Sequence, residues 1–111
     1  MREDDHQRRI ARNEERFREI NEGLQRDVSG ICEGDEKVAF VCECGLIECR
    51  EAVELTCAEY ERLRADGARF AVVPGHVLPD VERVVDDRGS YHVIEKLGAG
   101  SDHARATDPR A

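Results

Sequence analysis

The sequence predicts an α+β fold: a small domain of a few short antiparallel strands and one helix, preceded by a separate amphipathic helix. Three observations predict it. Residues 5–27 space their apolar side chains as a helix does, and residues 37–96 alternate short apolar runs with turn residues. Three cysteines, Cys42, Cys44 and Cys49, crowd into eight residues of that second segment. A folded stretch of about 60 residues buries a modest share of its surface and is marginally stable on its own. The 111-residue chain is 38% charged and 5% aromatic, with no Trp, so a staple from outside the apolar core meets a need that composition creates.

Within residues 5–27, Ile10, Phe17, Ile20 and Leu24 form a narrow apolar stripe of heptad type, flanked by Arg and Glu. A stripe like this suits a helix folded back on its own domain, or one that docks on another protein or a second copy. Residues 29–36 (Ser-Gly-Ile-Cys-Glu-Gly-Asp-Glu) read as an acidic linker. Residues 37–41 are a short strand entering the cysteine cluster, and residues 52–55 a second strand leaving it. Thr56 followed by Glu59 is a capping box. It opens a helix that runs to Asp66, where Gly67 is the stop. Residues 69–73 are an apolar strand ended by Pro74-Gly75. Residues 81–86 and 90–95 flank Asp87-Arg88-Gly89 as a hairpin, with Gly89 supplying the positive φ. Residues 97–111 are polar and expected to be a disordered tail. The expected organisation is thus a helix in 1–28, a linker in 29–36, the domain in 37–96 and the tail in 97–111.

Thiolates and imidazoles are the ligands zinc prefers, in a tetrahedron whose four positions all come from protein when the site is structural. In Cys42-x-Cys44-x4-Cys49, alternate residues of an extended chain point to one side, so the first two thiols can meet one ion. Gly45 is expected to let the chain turn so that Cys49 returns. The spacing is similar to the zinc motif that trails histone methyltransferase catalytic domains, and nothing else here resembles such an enzyme. His76, after Pro74-Gly75, is the expected fourth ligand, with Cys57 its main rival. Cys57 is otherwise a small buried residue at a helix start, Cys32 a free thiol in the linker, and His92 a strand-face residue. His6 and His103 fall in segments expected to be mobile, and Glu43 and Glu48 are expected to be solvated in the metal loop.

Net charge is −8, and residues 29–66 carry ten acidic side chains against four basic ones. An acidic domain is repelled by the phosphate backbone, which disfavours direct nucleic-acid binding. No run of about 20 apolar residues is present to span a bilayer. The first residues lack the apolar stretch of a secretory signal. The expected location is the cytoplasm, where reduced thiols serve as metal ligands. No His-Glu-x-x-His, Gly-x-Ser-x-Gly, phosphate loop or dinucleotide turn occurs, so no catalytic residue is assigned and the chain is not expected to be an enzyme. Three thiolates also blunt the Lewis acidity that an open zinc site would need.

The helix Asn13-Glu-Glu-Arg-Phe-Arg-Glu-Ile-Asn21 and the block Phe40-Val-Cys-Glu-Cys-Gly, Cys49, Glu59-Tyr60 and Val73-Pro-Gly-His76 resemble a set of short actinobacterial proteins. In these an Asn-Glu-x-x-Phe-Arg-x-x-Asn helix precedes a Cys-x-Cys…Cys…Pro-Gly-His module. The resemblance spans roughly residues 10 to 96 and implies Cys42, Cys44, Cys49 and His76 as the metal-type residues, with Cys32 and Cys57 as extras. It implies nothing about activity. The function expected from the residues is a zinc-binding, non-enzymatic interaction module, regulatory in transcription or signalling, that captures a protein partner or a second copy through the first helix. The alternative is a thiol-based redox sensor, with an open-site zinc enzyme ranked last.

Overall fold

The fold was obtained as a computed structural model, which describes residues 2–27, 36–46 and 48–110, the side chains of residues 2–8 and 27 excepted. Residues 29–35 of the expected linker, Cys32 and the side chain of His6 lie outside the described residues. Helix α1 (Arg2–Asp27) is followed by strands β1 (Lys37–Val41) and β2 (Ala52–Thr56), helix α2 (Cys57–Leu63) and strand β3 (Arg69–Val72). Strands β4 (Glu82–Asp87) and β5 (His92–Lys96) and helix α3 (Gly98–Ala106) complete it. The α+β class is as the sequence predicts.

Two small antiparallel sheets make up the β structure. β1 pairs with β2, with Phe40 opposite Val53, and the second sheet has the order β3-β5-β4. Val53 and Leu55 alternate inward on β2, as period-2 spacing requires. They meet Phe40, Tyr60, Leu63, Ala71, Tyr91 and Val93 in one core cluster. Within it the rings of Phe40 and Tyr60 stack at 4.5 Å between centroids. α2 starts at the predicted capping box: Glu59 N–H donates to Thr56 Oγ1 at 3.1 Å, and Thr56 N–H donates to Glu59 Oε1 at 2.8 Å. Gly89 holds φ +82° in the β4–β5 turn.

Two expectations fail. Residues 97–111 are not a disordered tail, because Gly98–Ala106 is helical and the segment after it is tied down by charge. Arg64, buried at the end of α2, pairs with Asp108 and, at 3.0 Å, with Glu22 of α1. Arg110 reaches Glu22 at 3.0 Å and Glu61 at 2.7 Å, and His103 meets Glu15 of α1 at 3.0 Å. A polar composition signals lack of core, whereas here the polar groups are the contacts.

The second failure concerns α1, which is not separate. Ile10 and Phe17 are buried against the domain, Leu24 is half-buried, and Ile20 is 44% exposed. The docked face is largely polar: Glu14, Arg18, Asn21 and Glu22 are all buried. Arg18 donates to Gly67 O at 2.8 Å, Ala104 O at 3.0 Å and Thr107 Oγ1 at 3.2 Å, and lies 5.0 Å over the Phe70 ring. Counting apolar positions alone therefore located the helix correctly and its docked face only in part.

Candidate metal centre

β1 does not stop chemically at Val41. Cys42 N–H donates to Glu51 O at 3.0 Å, one step beyond the β1–β2 ladder, and Glu43 N–H donates to Ala71 O at 2.8 Å. The chain thus crosses from one sheet to the free edge of β3. Extended backbone alternates its side chains, so Cys42 and Cys44 share one side and Glu43 takes the other. β3 ends in a turn closed by His76 N–H to Val73 O at 2.9 Å, with Gly75 at φ +92°. That turn swings His76 back towards the thiols. Cys49 N–H bonds Leu46 O at 2.9 Å, which closes the loop returning the third sulfur.

The result is a cluster of Cys42, Cys44, Cys49 and His76 whose four donor atoms all lie within 4.8 Å of one another, close enough to hold a metal ion. His76 Nδ1 stands 3.6 Å from Cys42 Sγ and 3.8 Å from Cys49 Sγ. The other ring nitrogen, Nε2, is 3.0 Å from the Glu51 carboxylate. Cys42 and Cys44 are buried among Phe70, Val72, Ile94 and Ala104, while Cys49 is half-buried. Val73 N–H points at Cys42 Sγ from 3.2 Å, a donor that stabilises negative charge on sulfur. The sulfurs also perturb each other: a hydrogen bond from Cys42 lowers the Cys44 thiol to about 5, and the same contact pushes the Cys42 thiol up.

All four residues expected as ligands are thus brought together. The rival, Cys57, is disulfide-bonded and buried, which removes it from the donor set. Gly45 sits at a bend of the metal loop, as expected, and has a second role. It has no positive φ; instead a Cβ there would stand 2.3 Å from Ile10 Cγ2. Glycine is present because α1 packs directly on the metal loop. Asn13 fixes the same contact by donating to Gly45 O at 3.0 Å.

Glu43 is not solvated. It is fully buried, and its carboxylate accepts from Asn21 Nδ2 and the Tyr60 hydroxyl at 2.8 Å each and from Ala71 N–H at 2.9 Å. Burial pushes its carboxyl up against these three donors, and burial beside Glu43 pushes the Tyr60 hydroxyl up as well. Asn21 also pairs with both backbone groups of Val41, at 2.8 and 2.9 Å, in the manner of a neighbouring strand. Neither Glu43 nor Glu51 was read from the sequence as part of the site. The signal was there in Cys-Glu-Cys, since alternation forces the middle residue away from the thiols and into the domain.

No membrane-length apolar helix occurs among the described residues. No protein-family model matches this chain, and comparison with curated proteins and with solved structures gives no match.

Proposed function

We propose that the chain is a non-enzymatic zinc-binding module whose ion, held by Cys42, Cys44, Cys49 and His76, is structural. One observation carries this: three sulfurs and one imidazole nitrogen converge at ligand-to-ligand distances. Zinc bonds of about 2.3 Å to sulfur and 2.0–2.1 Å to nitrogen put S and N about 3.6 Å apart in a tetrahedron. The 3.6 and 3.8 Å separations around His76 Nδ1 fit that figure. The Nε2 contact with Glu51 fits the carboxylate–histidine arrangement that fixes the ligating nitrogen of a metal-bound imidazole. Four protein ligands close the coordination shell; Glu43 is engaged in the core and Glu51 on the imidazole, and Glu48 is exposed to solvent. This supports a staple in preference to a hydrolytic centre. Metal analysis of the purified protein with single substitutions at Cys42, Cys44, Cys49 and His76 tests the reading. One bound zinc per chain, lost with any of the four, is the expected result, and a metal-free protein indifferent to chelators sinks it.

For the interaction role, the supporting observation is narrower than the sequence suggested. Ile10 and Phe17 are occupied by the domain itself, which leaves exposed Ile20, with the half-buried Leu24 beside it, for a protein partner or a second copy. Ile20→Arg is expected to abolish partner capture or self-association without moving the melting temperature; capture that survives it removes α1 from the role. A regulatory setting remains part of this proposal, while the disulfide at Cys57 weighs against a reducing cytoplasm. The redox reading has its own support in Cys49, the one half-buried sulfur of the three, where an oxidant gains entry. Zinc release by low peroxide that reductant reverses favours it, and a metal indifferent to peroxide excludes it.

A further inference from the structure

On the face of the molecule formed by α2, the start of β3 and the β4–β5 turn lies a cavity of about 210 Å³. Its floor is the buried trio Leu63, Tyr91 and Val93, and three guanidinium groups border it: Arg62 from the last turn of α2, Arg69 from β3 and Arg88 from the turn. We propose that this cavity binds a small oxyanion, a phosphate monoester or a carboxylate, carried on a compact apolar body.

Three arginines from three separate elements gather in one hollow on a chain whose net charge is −8. Chance clustering of surface charge in so acidic a protein would favour carboxylates. Arg62 is uncommitted, and the other two guanidinium groups are held only loosely by carboxylates. Arg62 makes no ion pair or side-chain hydrogen bond among the described residues. Arg88 approaches Glu59 and Asp86 only to 3.8 Å, and Arg69 approaches Asp66 and Glu95 only to 3.8 Å. Arg69 Nε is screened from solvent, 3.8 Å from Asp66, and lacks a hydrogen-bond partner, a state that costs free energy. Planar guanidinium forks match carboxylate and phosphate oxygens in pairs, which is why Arg marks such sites.

Two acids line the cavity as well and must be weighed. Glu59 is already engaged by Thr56 N–H, Lys37 at 3.0 Å and the Tyr91 hydroxyl at 2.9 Å. Burial pushes its carboxyl up, but those donors outweigh burial and hold it at about 2. Its charge is therefore shared among Lys37, Tyr91 and, at 3.8 Å, Arg88. Asp86 is half-exposed and, among the described residues, pairs with Arg88 alone. Three arginines against Glu59 and Asp86 leave the lining a formal excess of one positive charge, and its apolar floor suits a ligand with a small ring or short chain behind the anionic group. Its volume falls below the usual range for drug-sized ligands, which fits a small metabolite.

The test is an amide chemical-shift titration of the full-length, metal-loaded protein with phenyl phosphate, benzoate and inorganic phosphate, against sodium chloride at matched ionic strength. Saturable shifts at Leu63, Arg88, Tyr91 and Val93 are expected with the organic anions. Arg62→Gln should weaken binding about tenfold, the effect of losing one charged hydrogen bond. Arg12→Gln on α1 removes the same charge elsewhere and should leave binding unchanged. A stronger response to phenyl phosphate assigns a phosphate ligand, and a stronger response to benzoate a carboxylate. Shifts that do not saturate, that sodium chloride reproduces, or that both variants weaken equally overturn the proposal.

Discussion

Glu43 and Glu51 flank the ligand set from opposite sides, and their roles separate cleanly. Glu51 is exposed, and its carboxylate touches the site at His76 Nε2. Glu51→Gln should therefore lower zinc affinity about tenfold or more while metal-free protein melts as before; competition with a chromogenic chelator measures the first and calorimetry the second. An unchanged affinity would show that the imidazole needs no carboxylate behind it. Glu43 is the reverse case. It holds Asn21, Tyr60 and Ala71 N–H at once, so Glu43→Ala strands three buried donors and should cost about 3 kcal/mol or more. Urea unfolding reads that loss directly. A cost below 1 kcal/mol would mean that water replaces the carboxylate, and the buried network described above would be of little weight.

Among the elements, α1 shows what a pattern of apolar residues can and cannot reveal. The strands, the capping box at Thr56 and the hairpin turn at Gly89 were legible because each depends on residues adjacent in sequence. The ligand set was legible because thiols and an imidazole have few other reasons to cluster. The docking of α1 was not, because Glu14, Arg18, Asn21 and Glu22 look like a solvated face until the distant groups that satisfy them are known. Arg18 finds carbonyls 49 and 86 residues away. The same blindness hid α3, whose end is held by Arg64, Glu22 and Arg110. A helix docked through buried polar groups is an integral part of the fold, since removing it leaves unpaired charges behind. Deleting residues 1–27 uncovers Lys96, Glu43 and the Phe70 ring together. The remaining chain is expected to lose cooperative thermal unfolding and most of its amide protection even with zinc present. A truncated protein that keeps a sharp transition would restore the picture of α1 as a detachable arm.

Across the whole molecule, charge is distributed so that acid and alkali act through different groups. Lys96 sits between two fully buried carboxylates, 2.9 Å from Glu14 and 3.0 Å from Glu82. The Glu14 contact is close but off the hydrogen-bonding direction, so the Glu14 oxygens lack a directed donor. Burial first, and then the neighbouring Glu82, raise the Glu14 carboxyl well above its ordinary value despite Lys96. A folded-state pKa above the unfolded one gives stability that is present at low pH and eroded as pH rises through the folded value. Glu59 behaves oppositely. Its carboxyl is lowered from 4.5 to about 2, so its contribution is full above 4.5 and disappears as pH falls towards 2. Glu59→Gln keeps the capping geometry and should cost about 2 kcal/mol at pH 6 once solvent screening is allowed for, with the gap to the parent protein closing by pH 2. Glu14→Gln removes the charge that burial opposes and should raise stability at pH 8 relative to pH 5. Urea unfolding of the two variants and the parent across pH 2–8, at saturating zinc where the metal stays bound, checks both slopes. Parallel curves for Glu14→Gln and the parent would show Glu14 ionised throughout and fully compensated by Lys96.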